Sequence, residues 1–218
     1  MAAQTSALGI VGPQSLATGA QTSPFRQDRT ASAVVAPGRA PFAEQTRMGI
    51  MFSACIPPGT GQAPGTAIGT TACFTLANPS SSGYNLVVNT IFAGYVSGTL
   101  GAGVLAVLAH FGASGANITA PTGGTAITPT NTLLGSTTAS IANARFNNTV
   151  PASGIQIRAL GSLQASLAST AVAPWQLIDY VNGAIIVGPG QAISIQGIAA
   201  AGTSPLIVAG ATWAEELL

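Results

Sequence analysis

Lysine is absent from this chain, and ionic side chains of any kind are scarce: six arginines, two aspartates and three glutamates in 218 residues. Charged residues make up 5% of the chain, against roughly 25% in an ordinary soluble domain. No Lys, Arg, Asp or Glu lies between Arg47 and Arg145. A net charge of +1 sets up no long-range field to hold a polyanion, so the folded body is not expected to bind nucleic acid. A surface this poor in charge also has little to keep it dispersed, which favours association.

Chemistry-bearing residues are equally sparse. One histidine, His110, and two cysteines, Cys55 and Cys73, cannot supply a zinc set of the usual spacing. Without lysine there is no Gly-Lys-Ser or Gly-Lys-Thr phosphate loop, and no serine stands in Gly-x-Ser-x-Gly. His110 has no acidic residue within twenty positions, and it reads as a hydrogen-bonded residue of a strand, not a base or ligand. Glu215 and Glu216 are adjacent in a strand-like run, so they point to opposite faces and do not form a paired acid-base site directly. The inventory predicts no catalytic residue, no cofactor and no metal.

A long hydrophobic run is missing too. The chain is apolar on average, with a mean hydropathy of +0.49, yet its Ala, Val, Leu and Ile come in short runs broken by Gly, Pro, Ser, Thr and Asn. A membrane helix needs about 20 consecutive, mostly apolar residues. The nearest candidate, Ile91 to Leu108, contains Gly94, Ser97, Gly98, Thr99, Gly101 and Gly103, which suits a turn between two strands. The opening Met-Ala-Ala-Gln-Thr-Ser lacks the basic and apolar regions of a signal peptide, so synthesis in the cytosol is expected. Cys55 and Cys73 are then expected as reduced, buried thiols. The patterns Asn117-Ile118-Thr119 and Asn147-Asn148-Thr149 carry no force as glycosylation sites without export.

What is present divides into two parts. Residues 1–47 hold four of the arginines, Arg26, Arg29, Arg39 and Arg47, with Pro13, Pro24, Pro37 and Pro41. No helical or strand period persists there, which predicts an extended arm with one short strand at Ser32 to Ala36, ordered by lying across a neighbour. Residues 48–218 predict a β-sandwich or barrel, because short runs rich in Val, Ile, Phe and Thr recur between turn signals. The expected strands are Gly49–Ile56, Ala72–Ala77, Tyr84–Val96, Val104–Phe111, Ser140–Asn147, Ile155–Leu160, Trp175–Tyr180, Ala184–Val187, Ala192–Ile198 and Leu206–Trp213. Asn182-Gly183 between two apolar runs predicts a two-residue hairpin turn. Ser114 to Thr138 predicts a long surface loop. Alternation in Ile193/Ile195 against Ser194/Gln196 predicts one face for the core and one for solvent or a partner. Trp175 and Trp213 read as core fillers, with a subunit contact as the sharper alternative for one of them.

Several stretches resemble the jelly-roll head decoration, or cement, proteins of tailed bacteriophages. The arm run Thr22-Ser23-Pro24-Phe25-Arg26-Gln27-Asp28-Arg29, then Val34-Val35 and Phe42-Ala43-Glu44-Gln45-Thr46-Arg47-Met48-Gly49, is similar to their N-terminal segment. So are Phe74-Thr75-Leu76-Ala77-Asn78-Pro79 and Ser82-Gly83-Tyr84-Asn85-Leu86-Val87-Val88. The run Gly183-Ala184-Ile185-Ile186-Val187-Gly188-Pro189-Gly190-Gln191-Ala192-Ile193, with Thr203-Ser204 and Trp213-Ala214-Glu215-Glu216, resembles their last hairpin and closing strand. The resemblance implies a jelly-roll-like all-β sandwich, often trimeric, on the outer capsid where capsomers meet.

The expected function is therefore structural: a virion protein whose partners are a major capsid protein and copies of itself, on the capsid surface. The expected contact residues are Arg26, Arg29, Arg39, Phe42, Arg47 and Trp213. The alternatives are a tail, fibre, baseplate or head-knob protein that contacts the host through the Ser114–Thr138 loop, or a single jelly-roll shell subunit. A virion enzyme would need convergent acids, for which Asp179, Glu215 and His110 are the available residues.

Overall fold

The computed structural model describes residues 42–150, 154–163, 176–198 and 203–218. Among these residues a five-residue helix, α1 (Ala43–Arg47), leads into eleven strands. These are β1 (Met51–Cys55), β2 (Thr71–Ala77), β3 (Tyr84–Ser97), β4 (Gly103–His110), β5 (Thr125–Ile127), β6 (Thr130–Asn131), β7 (Asn143–Thr149), β8 (Ile155–Leu163), β9 (Gln176–Val187), β10 (Ala192–Ile198) and β11 (Leu206–Leu217). A single 3-10 turn, Ala113–Gly115, follows β4. The strand expected at Ser32 to Ala36 lies outside the described residues.

Every strand pairing is antiparallel, and the strands form two sheets ordered β6-β1-β11-β3-β9 and β5-β7-β2-β10-β4-β8. Setting aside β5, β6 and β7 leaves eight strands. Numbered afresh along the chain, they run 1-8-3-6 in one sheet and 2-7-4-5 in the other, the order of a jelly roll. The chain is an all-β sandwich. Its core lies between the sheets, where Phe52, Leu86, Ile91, Ile207 and Trp213 of the five-stranded sheet meet Phe74, Leu76, Leu105, Val107 and Ile195 of the six-stranded one.

Asn89 explains how the longest strand keeps one face in that core. Leu86 and Val88 point inward before it, Ile91 and Ala93 after it, a pattern that strict alternation cannot produce. The register with β11 passes from Val88 opposite Trp213 to Thr90 opposite Thr212. Asn89 is thus an extra residue, a β-bulge that resets the phase. It is buried, and its Nδ2 donates to Met51 Sδ at 3.2 Å.

The same bulge overturns the hairpin expected at Asn182-Gly183. Pairing of β3 with β9 passes from Val88 opposite Ile185 to Thr90 opposite Tyr180, so Val181 to Ala184 all face Asn89. Asn182 (φ 49) and Gly183 (φ 81) do adopt the left-handed backbone that the dipeptide favours. The strand continues in the same direction afterwards, because the residues beyond it, Ile185 to Val187, pair with β3 just as Gln176 to Tyr180 do. The runs expected as separate strands are one strand, β9; Trp175 lies outside the described residues.

Two further expectations change. The Ser114–Thr138 segment contains β5 and β6, which add short edge strands to the two sheets by pairing with β7 and β1. Strand β7 begins at Asn143, three residues later than expected, and runs on to Thr149. On β10 both faces are buried: Ser194 and Gln196 are each 1% exposed, since a loop crosses the outer face. Gly69 N donates to Gln196 Oε1 at 2.9 Å, and Gln196 Nε2 donates back to Gly69 O at 3.2 Å.

Candidate interface

The residues expected to make contacts fall in different settings. Arg26, Arg29 and Arg39 lie outside the described residues. Phe42 is half-buried, with a left-handed backbone (φ 65), just ahead of α1. Arg47 is exposed and engaged by Glu44 one helical turn earlier: its Nε donates to Oε2 at 3.0 Å and its Nη2 to Oε1. That hydrogen bond, with the charge of Glu44, raises the Arg47 pKa. Trp213 is 0% exposed, its ring stacked on Phe52 with centroids 6.4 Å apart, so it has no surface to offer a partner.

Trp213 instead belongs to a polar cluster at one end of the core. Its Nε1 donates to Glu215 Oε1 at 3.2 Å. Glu215, 6% exposed, also accepts from Ser140 Oγ and from Ile141 N at 3.1 Å. A buried carboxylate needs such donors. Here they anchor the segment that leads into β7 to the end of β11.

His110 is 2% exposed, with Nε2 2.7 Å from Ser194 Oγ. The distance is that of a nucleophile and its base, but Ser194 Oγ also accepts from Gln196 Nε2 at 3.2 Å. The trio continues through Gln196 to Gly69, and it ties β4, β10 and the covering loop together. Cys55, on β1, and Cys73, on β2 of the opposite sheet, are free. Burial pushes the Cys73 thiol up to about 12, and partial burial raises that of Cys55. Among the described residues, no group of three or more His, Cys, Asp or Glu comes together to hold a metal ion. No helix among them is long and apolar enough to cross a membrane.

One edge of the sandwich stands apart. Strands β8 and β9 end their sheets on the same side, and no described strand pairs with their outer edges. They are packed closely: a Cβ on Gly161 would lie 2.6 Å from Leu177. Arg158 Nη1 donates to both oxygens of Asp179 at 2.9 Å, which joins the sheets across the edge.

Beside that pair lies a cavity of about 690 Å³ lined by His110, Phe111, Ile157, Arg158, Ile185 and Ile186, among others. Ile186, 58% exposed, Phe111, 48%, and Ile157, 41%, are the solvent-open apolar part of its lining. Tyr180, Ile155 and Ile178, elsewhere on β8 and β9, are exposed as well. Edge strands are usually blunted by Lys, Pro or a bulge. Here both strands are bulged, β9 at 181–184 and β8 at Ile157 and Leu160, but neither Lys nor Pro occurs among their described residues. Exposed apolar side chains of this size are the feature by which association surfaces are recognised in general. In sequence the residues of this edge looked like ordinary alternating strand faces; only the sheet order shows that both strands lie at the edge.

Compared with known proteins, the chain matches no family model, no curated protein and no solved structure.

Proposed function

We propose that this protein is a structural component of a virus particle, a capsid decoration protein that binds the outer head of a bacteriophage as a homo-oligomer, most simply a trimer. The reading rests on one observation: a charge-poor jelly roll with an apolar groove at its β8–β9 edge lined by Ile186, Phe111 and Ile157, and with Tyr180 and Ile155 exposed on the same two strands. Copies associate by covering that edge, which removes apolar area at about 25 cal/mol per Å². When such a contact is heterologous and its rotation closes, identical subunits form a ring.

The arm supplies the second contact. Arg26, Arg29, Arg39 and Arg47 dock on acidic patches of the major capsid protein, with Phe42 at the junction between arm and sandwich. The protein is made in the host cytoplasm and stabilises capsomer contacts from the capsid surface. It acts through contact area and not through chemistry, consistent with acids that are engaged in structural pairs: Glu44 with Arg47, Asp179 with Arg158, Glu215 with Ser140 and Trp213.

Light scattering on the full chain tests the self-association. The intact protein is expected to run as an oligomer, and Ile186→Asp with Tyr180→Asp is expected to run as a folded monomer. A monomeric wild type that also fails to bind phage heads overturns the reading.

A further inference from the structure

The groove beside β8 and β9 carries one arginine in an otherwise apolar lining. Arg158 donates from Nη1 to Asp179, while its Nε and Nη2 donate to no described residue. Ile186, Phe111 and Ile157 stand open to solvent in the same lining. An occupant that fits brings an apolar side chain and, next to it, a carboxylate for the unused donors of the guanidinium.

The end of β11 has that combination. Leu217 is 76% exposed and Leu218 70%, and Glu216 beside them is exposed as well. Strand alternation puts Glu216 and Leu218 on one side of the strand end and Leu217 on the other, so the acid and a leucine are presented together. The other acids among the described residues are engaged, Glu44 with Arg47, Asp179 with Arg158 and Glu215 with Ser140 and Trp213. Glu216 pairs with no described residue. Leu133 and Leu134, the other exposed leucines among the described residues, have no acid within ten positions of the chain. On the receiving side, Arg145 is no substitute for Arg158: it lies on β7 between Thr75 and Ala126, with three strands between it and β8.

Leucines this exposed do not fill the groove of their own chain. In register, Leu217 stands opposite Tyr84 and Val187 opposite Leu86. The end of β11 and the groove wall at Ala184 to Val187 therefore lie toward the same end of the five-stranded sheet, with β3 between β11 and β9. We propose that the end of β11 from a second copy fills this groove, with Leu218 against Ile186 and Phe111 and Glu216 on the Nε and Nη2 of Arg158. Different surfaces of the two copies then meet, which makes the contact heterologous and able to close into a ring. The inference rests on self-association through the β8–β9 edge and names the part of the neighbour that covers it.

Cross-linking between differently tagged full-length copies tests the contact. One copy carries Leu218→Cys and the other Ile186→Cys, both with Cys55→Ser, and the two are coexpressed and oxidised with copper phenanthroline. A disulfide joining the two tags is expected. Light scattering supplies a second readout: Leu217→Ser with Leu218→Ser should raise the concentration of half-dissociation by more than about tenfold. Glu216→Gln should raise it by up to about fivefold, the effect of an ion pair at a solvent-exposed rim. Circular dichroism melts verify that the variants fold, and the cross-link decides if the leucine variant does not. An oligomer that Ile186→Asp with Tyr180→Asp breaks, but that the β11 variants leave intact and that gives no mixed disulfide, overturns this contact and leaves association along the edge standing. Ile186→Cys copies linked to one another would show an isologous contact and overturn it too. A wild type that scatters as a monomer overturns both.

Discussion

Arg158 and Asp179 link the last strand of one sheet to the last strand of the other, with the arginine Nη1 2.9 Å from both carboxylate oxygens. The pair is partly exposed, at 36% and 21% for the two side chains, so solvent screens much of its attraction. A double-mutant cycle with Arg158→Ala and Asp179→Ala is expected to give a coupling of about 0.2–1 kcal/mol in urea unfolding. A coupling several times larger would mean that the pair is covered in solution, as association along this edge would make it.

The polar cluster below Trp213 should behave in the opposite way. Trp213→Ala removes the largest fully buried side chain and is expected to cost about 3–5 kcal/mol. Glu215→Ala orphans the Trp213 indole N–H and the Ile141 amide, at about 1–3 kcal/mol for each buried group left unpaired. Chemical denaturation of both variants checks these values, and a near-neutral Glu215→Ala would show that water replaces the carboxylate.

Gly183 tests whether the bulge depends on its backbone. At φ +81 a side chain is strained, and the added Cβ would also come 3.3 Å from Val87 Cγ1. Gly183→Ala is expected to destabilise the fold by about 1–2 kcal/mol. The same change at Gly59, where nothing lies within 4 Å of the added Cβ, is the control and should be close to neutral.

Alkaline stability should report on Cys73. Its folded thiol holds its proton up to about 12, against an ordinary value of 9.0. Below pH 9 both states carry the proton and stability is intact. Between the two values the unfolded chain is ionised and the folded one is not, so stability falls by about 1.4 kcal/mol per pH unit. Urea midpoints for wild type and Cys73→Ala should therefore converge as pH rises, the tyrosines affecting both alike. Parallel curves would mean that the thiol reaches solvent without unfolding.

Much of the architecture is written locally. Short β-branched runs such as Ile193 to Ile195, breakers such as Asn78-Pro79, and the glycine-rich turn at Gly98 all depend on residues within a few positions of each other, and strand and turn propensities act at that range. The scarcity of ions, and with it the expectation of an associating surface, is likewise a property of composition alone.

Tertiary structure decided the rest, because its causes lie far apart in the chain. The left-handed preference of Asn182-Gly183 was legible in the dipeptide; whether it made a hairpin or a bulge depended on both flanking segments pairing with β3, far away in the chain. Ser194 and Gln196 read as a face for solvent or a partner until Gly69, more than a hundred residues away, came to lie over them. Trp213 read as a core filler with a subunit contact as the alternative until Phe52 and Glu215 enclosed it. The β8–β9 edge exists only through the sheet order, since a period-two pattern states which residues share a face but not which strand stands beside it.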